Sequence, residues 1–109
     1  MININDFGKL DLRTGTIIKV ELFDKAKIPS YILEIDFGDV GIKKSSAQIT
    51  KLYKPAELVG KQIVAIVNLP PKKIAGITSD VLMLGANNKD QAVVLLELQK
   101  NIPNGTKVG

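Results

Sequence analysis

Two chemically versatile residues are missing from this 109-residue chain: it has no cysteine and no histidine. Without cysteine there are no disulfides and no thiolate metal sites. Without histidine the usual general base is gone, and with it Ser-His and Cys-His nucleophile pairs and most zinc sites. Tryptophan is absent too, and aromatics make up only 5% of the chain. No apolar run approaches the roughly 20 residues of a membrane-spanning helix, so no membrane insertion is expected. Met1 to Leu10 has neither a basic n-region nor an apolar h-region, so it does not read as a signal peptide and the expected address is the cytoplasm. There is no phosphate-cradling glycine pattern and no nucleophile beside a base. Glu34, Asp36 and Asp39 border a turn where a divalent ion can be imagined, but acids beside a strand are usually just solvated. The expectation is a non-enzymatic protein with no cofactor.

What is present is ordinary in amount and uneven in placement. Hydrophobic residues make up 45% and charged residues 24%, the composition of a soluble globular protein. Residues 1–109 are read as one domain. The net charge is +4. From Lys43 to Lys73 seven lysines (43, 44, 51, 54, 61, 72, 73) face one acid, Glu57, while the rest of the chain has ten acids against eight cations. A polyanion is one partner for such a patch. Solvation of a helix and two turns is the plain alternative.

The chain is organised around Lys61 to Leu84. Ile63 to Val67 is an unbroken apolar, β-branched run, the pattern of a strand buried on both faces. Leu69-Pro70-Pro71 cannot continue a ladder, because proline has no N–H. Lys72 and Lys73 follow on a stiff loop, Gly76 permits a bend, and Val81 to Leu84 forms the next strand.

The other elements follow from period and punctuation. Ile4, Phe7 and Leu10 recur every three residues, with Asn5 or Asp6 as cap, predicting a short helical turn. Leu12 to Phe23 reads as a long strand in which Ile18, Val20 and Leu22 alternate with Lys19 and Glu21. Gly15 inside it marks a tight bend or close backbone approach. Asp24 to Pro29 is a loop. Tyr31, Leu33, Ile35 and Phe37 form a clean half-buried strand, and Gly41 to Ser45 returns beside it. Ser45 and Gln48 fit a capping box, and Ile49, Leu52 and Tyr53 share a helical face, predicting a short helix over Ala47 to Tyr53. Ala86 to Asp90 is a turn, Ala92 to Leu98 a further strand, and the tail is turn-rich. Three strands, a short helix and two more strands is the order of an OB-fold. The expected class is all-β: a five-stranded barrel with a short helix, an N-terminal helical turn and a C-terminal extension.

At this point the residues carry a resemblance. DLRTGTIIKVE (Asp11 to Glu21), YKPAELVGKQIVAIVNLPPKKIAG (Tyr53 to Gly76) and SDVLMLG (Ser79 to Gly85) resemble the tRNA-binding OB domain. That domain ends bacterial methionyl-tRNA synthetases and also occurs alone. SSAQITK (Ser45 to Lys51) and PNGTKVG (Pro103 to Gly109) add a likeness to its CsaA branch, small stand-alone members described as export-related chaperones. The resemblance covers nearly the whole chain.

It implies an OB-fold and a homodimer whose interface is built by residues 1–11 and 99–109, so that Phe7, Leu10, Ile102 and Pro103 rest on a second copy. It implies a surface for unfolded or export-bound polypeptides, or for tRNA or other structured RNA, to which Asn68, Ser79, Lys72 and Lys73 carry over. Lys43, Lys44, Ser46 and Leu82 complete the candidate surface. Three departures stand out: Ala75 where RNA-binding members often have Arg, Val81-Leu82 where they have Gly-Met, and Ala47-Gln48 where they have Ala-Gly. Each replaces a cation or open backbone with a larger or more apolar side chain, which suits an extended polypeptide. Only Tyr53 among the aromatics lies in the basic third, so bound RNA would be held by shape and backbone.

Overall fold

A computed structural model describes residues 1–25, 27–90 and 92–109. Its longest strand, β1 (Leu12–Phe23), is shared between two neighbours. Residues Leu12 to Thr16 pair antiparallel with β4 (Gln62–Ile66). Thr16 to Phe23 pair antiparallel with β2 (Ser30–Asp36), with a register shift between Ile17 and Lys19. A bulge of this kind bends a strand and increases its twist. It also modifies the expected alternation: Val20 packs on the core, whereas Ile18 at the shift and Leu22 near the strand's end stay exposed.

The sheet continues with β3 (Ile42–Ala47) beside β2 and β7 (Leu82–Met83) beside β4, giving the order β3-β2-β1-β4-β7. Two small ribbons are attached. One is β5 (Lys72–Ile74) with β6 (Ile77–Ser79), the other β8 (Gly85–Asn87) with β9 (Val93–Leu95). The curled sheet is closed at the β3 edge by a few bonds to the Ser79–Val81 segment. The Asp80 N–H donates to the Lys44 carbonyl at 2.8 Å, and the Ser45 hydroxyl donates to the Val81 carbonyl at 3.2 Å. Mostly strands, a curled five-stranded sheet and one short helix between the third and fourth strands make the expected OB-like fold.

Two apolar clusters hold it. The inner one centres on Ile17, Leu33, Ile35, Phe37, Leu58 and Ile63, all without accessible surface. Each such side chain contributes about 1.5–3 kcal/mol by leaving water. The second, Leu12, Val64 and Ile66, lies under Leu10, Leu84, Leu98 and Val108. Alternate residues of β4 therefore serve different clusters, which is why Ile63 to Ile66 is apolar at every position. Gly15 is required by packing: a Cβ there would lie 2.7 Å from the Phe37 ring and the Ile35 side chain.

Several local expectations are corrected. The helix expected over Ala47 to Tyr53 does not form. Ser45, Ser46 and Ala47 belong to β3, where pairing with β2 and the buried Ser45 bond outweigh a marginal capping signal. The one-turn helix is α2 (Pro55–Leu58), with Pro at its start and the Glu57 carboxylate accepting the Lys54 N–H at 3.0 Å. The N-terminal turn, α1 (Ile4–Phe7), is capped by Asn3, which exchanges bonds with Asp6 in a capping box. The strand expected over Ala92 to Leu98 shortens to β9, with an isolated bridge from Glu97 to Ile63. The loop expected over 24–29 is described except for Ala26, which lies outside the described residues.

Candidate binding groove

The stretch after β4 shapes the surface. Pro70 and Pro71 end the sheet, and the chain then folds into the β5–β6 ribbon. Its tip is Ala75-Gly76, with φ of 48° and 88°. Two positive φ values in a two-residue loop are the mark of a type I′ hairpin turn. Lys72 and Lys73 were expected side by side on a loop. They lie instead on a strand, and the pleat sends them to opposite faces. Lys72 and Ile74 turn to a groove between the ribbon and β3, and Lys73 does not.

That groove is a run of three depressions, of about 310, 440 and 300 Å³, that share Ser46 and Ile74. Leu69, Ser79 and Leu82 line the first. Lys25, Lys27, Ile28 and Gln48 line the second. Ile49, Met83, Val93 and Leu95 floor the third, with Lys72 at its edge. No aromatic side chain is among the described lining residues. In an OB-fold the loops after the first and fourth strands flank the binding face, and here they are residues 24–29 and 67–81.

Of the expected surface residues, Ser46, Lys72, Ser79 and Leu82 are brought together here. Ser79 is also a seam bond: its hydroxyl accepts the Ser46 N–H at 3.2 Å and donates to the Val81 carbonyl at 3.4 Å. Asn68 lies elsewhere. Its carbonyl oxygen accepts the Asp11 N–H at 2.9 Å and its amide donates to the Lys9 carbonyl at 2.8 Å, tying the end of β4 to the N-terminal segment. Lys43 and Lys44 do not line the groove. Lys43 stands opposite Ile35 and Lys44 opposite Glu34, on alternate faces of β3.

The basic third of the sequence is thus dispersed in space. Lys61 is neutralised by Glu97 at 2.7 Å, a bond that raises its pKa. Lys25 and Lys27, from the loop expected over 24–29 and not among the expected surface residues, line the groove. Only the rule that the first loop of an OB-fold borders its binding face would have singled them out. Lys19, Lys61, Lys107, Lys9 and Arg13 are in ion pairs, and none of the ion pairs among the described residues involves Lys25, Lys27 or Lys72.

Two of the three acids considered for an ion, Glu34 and Asp36, have partners within the chain. Glu34 pairs with Lys19, and Asp36 accepts the Gly38 N–H. Among the described residues no group of three or more acids could hold a metal.

At the opposite end, residues 103–108 run beside the start of β1. The Thr14 hydroxyl donates to the Pro103 carbonyl at 3.0 Å, and the Gly105 N–H donates to the Thr14 carbonyl at 2.8 Å. Both polar ends of the Gln62 amide are used by the Ile102 backbone. Arg13 and Lys107 flank Asp11 at 2.6 and 3.2 Å, and the Arg13 hydrogen bond above all holds that carboxyl below its ordinary value. Leu10 packs in the second cluster. Phe7 lies against Gly109, yet α1 buries none of its residues: Ile4 is 77% exposed, and Phe7 and Ile102 are each 37% exposed.

Comparison with known proteins agrees with this architecture. The chaperone CsaA of Bacillus anthracis is 53% identical, with a TM-score of 0.96 over 100% of this chain and 99% of that one. The CsaA chaperone protein of Picrophilus torridus is 50% identical, with a TM-score of 0.93 over the whole of both chains. The methionine–tRNA ligase of Methanosarcina mazei is 34% identical over 108 residues, which are 99% of this chain but 15% of that enzyme. The curated relatives are thus several times longer than the stretch they share with this chain. The sequence model described as "Putative tRNA binding domain" matches residues 12–107, and the chain belongs to that tRNA-binding-domain family.

Proposed function

We propose that this protein is a non-enzymatic, homodimeric binding protein of the cytoplasm that holds unfolded or export-bound polypeptides, as a CsaA-type chaperone. The observation that carries the reading is the groove: an aliphatic floor of Ile74, Leu82 and Val93, edged by lysines that are in none of the ion pairs among the described residues, and lined by no aromatic among those residues. Aliphatic surface rimmed by charge suits an extended chain. The similarity to two CsaA chaperones supports it. The exposed apolar residues of α1 and Ile102 support pairing of two copies through residues 1–11 and 99–109, Phe7, Leu10, Ile102 and Pro103 included. No helix of the described residues is long and apolar enough to cross a membrane.

A second reading, structured RNA such as tRNA, is favoured by the family match and by the lysine excess. Without stacking side chains, such binding rests on phosphate contacts and shape. Titrating tRNA and an unfolded protein at low and high salt separates the two. Polypeptide binding that persists at high salt and weakens in Leu82→Ser supports the first. Binding of tRNA alone, falling steeply with salt, replaces it with the second. A solution mass of one chain removes the dimer.

A further inference from the structure

The groove combines two kinds of surface in fixed order. Its inner end is aliphatic, where Ile49, Leu82, Met83 and Leu95 converge. Its outer end is cationic, where Lys25 and Lys27 stand beside Ile28. Ser46 and Ile74 belong to both ends, so one occupant meets both. The only carboxylate among the described lining residues is Asp80. It is committed to closing the barrel, for its side chain accepts the Lys44 N–H at 3.3 Å while its own N–H donates to the Lys44 carbonyl.

We infer that the preferred occupant is an extended polypeptide segment in which aliphatic residues are flanked by aspartate or glutamate. This rests on the polypeptide reading above and narrows it. The aliphatic side chains fill the inner end, and the flanking carboxylates meet Lys25, Lys27 and Lys72, which are in none of the ion pairs among the described residues. A segment flanked by lysine or arginine meets like charge at Lys25, Lys27 and Lys72, with Asp80 the only carboxylate among the described lining residues, and is disfavoured. The basic n-region of an export leader is of that kind, so within an export-bound chain the groove selects acidic-aliphatic segments away from the leader.

The test uses the full chain and three labelled peptides that share one central aliphatic pentapeptide and are flanked by pairs of Glu, Gln or Lys. At low salt the expected order is Glu tightest, Gln intermediate and Lys weakest. The ends of the series should differ about tenfold, since an exposed ion pair contributes a factor of up to about five. The spread should collapse in the Lys25→Gln/Lys27→Gln variant and at high salt. Leu82→Ser should weaken all three peptides together. Equal affinities, a tightest Lys-flanked peptide, or an order unchanged by Lys25→Gln/Lys27→Gln overturns the charge preference and leaves polypeptide binding standing. No binding of any peptide to protein that still unfolds cooperatively overturns both.

Discussion

Around the start of β1, Asp11, Arg13 and Lys107 form a closed set of charges, and the backbone of residues 102–108 is bonded to Leu12, Thr14 and Gln62. Around β5 and the 24–29 loop, Lys25, Lys27 and Lys72 lie outside the ion pairs, and Ile28, Leu69 and Leu82 are exposed. Both regions use lysine and aliphatic residues. In the first the cations Arg13 and Lys107 are paired with Asp11, and Leu10, Leu12 and Val108 pack in the second cluster, while Ile4, Phe7 and Ile102 stay exposed. In the second, Lys25, Lys27 and Lys72 are in none of the ion pairs among the described residues, and Ile28, Leu69 and Leu82 face solvent. Burial and partnership, and not residue type, separate the lysines and leucines of the two regions.

The two leucines Leu33 and Leu82 give the largest expected contrast. Leu33 has no accessible surface, and Leu33→Ala should cost about 2–5 kcal/mol in urea unfolding by leaving a cavity. Leu82 is 51% exposed, and Leu82→Ala should cost under about 1 kcal/mol while weakening the groove's ligand. Equal losses of stability would break the distinction. The lysines sharpen it next. Replacing Lys25, Lys27 and Lys72 by glutamine should lower the salt slope of tRNA binding by about 2 to 3, near 0.7–0.9 per lost phosphate contact. The Lys19→Gln/Lys61→Gln control should leave that slope unchanged. Matching slopes would mean that paired and unpaired lysines are not different populations.

Asp11 tests the closed region. Its folded pKa lies below the ordinary 3.8, chiefly because of Arg13. Its carboxylate therefore adds stability that is present above that ordinary value and is lost as pH falls through the folded one. Half-open to solvent, the pair is worth under about 1 kcal/mol. Asp11→Asn should flatten the acid limb of Tm and leave ligand binding unaltered. The smallest effect is at the ribbon's tip, where Ala75 has a φ of 48°. Ala75→Asn should stabilise by about half a kcal/mol, because asparagine tolerates left-handed backbone and Asn-Gly favours this turn. A loss of stability there would argue against the type I′ geometry.

The strand order was legible because it depends on local period and punctuation. Tyr31, Leu33, Ile35 and Phe37 alternate, and Ile63 to Ile66 does not, since one strand has a single buried face and the other has two. The Ser45–Gln48 capping signal misled because a single turn of helix is too weak to resist a strand's ladder. Asn68 was legible as a strand end, but its side-chain bonds to the backbone of Lys9 and Asp11 join residues more than fifty positions apart. The lysine cluster misled for a related reason. Closeness along the chain is not closeness in space, and a pleat turns neighbours such as Lys72 and Lys73 to opposite sides.

Residue pattern alone was enough for the all-β class, the doubly buried fourth strand and the exclusion of histidine and thiol chemistry, because each follows from which side chains exist and how often they recur. Which cations stay outside ion pairs, and that Lys25 and Lys27 share a groove with Ile74 and Ser46, was decided by folding. Those facts depend on the curl that carries the first loop to the ribbon and on partners such as Glu97 for Lys61, and such long-range pairings leave no local mark in the chain.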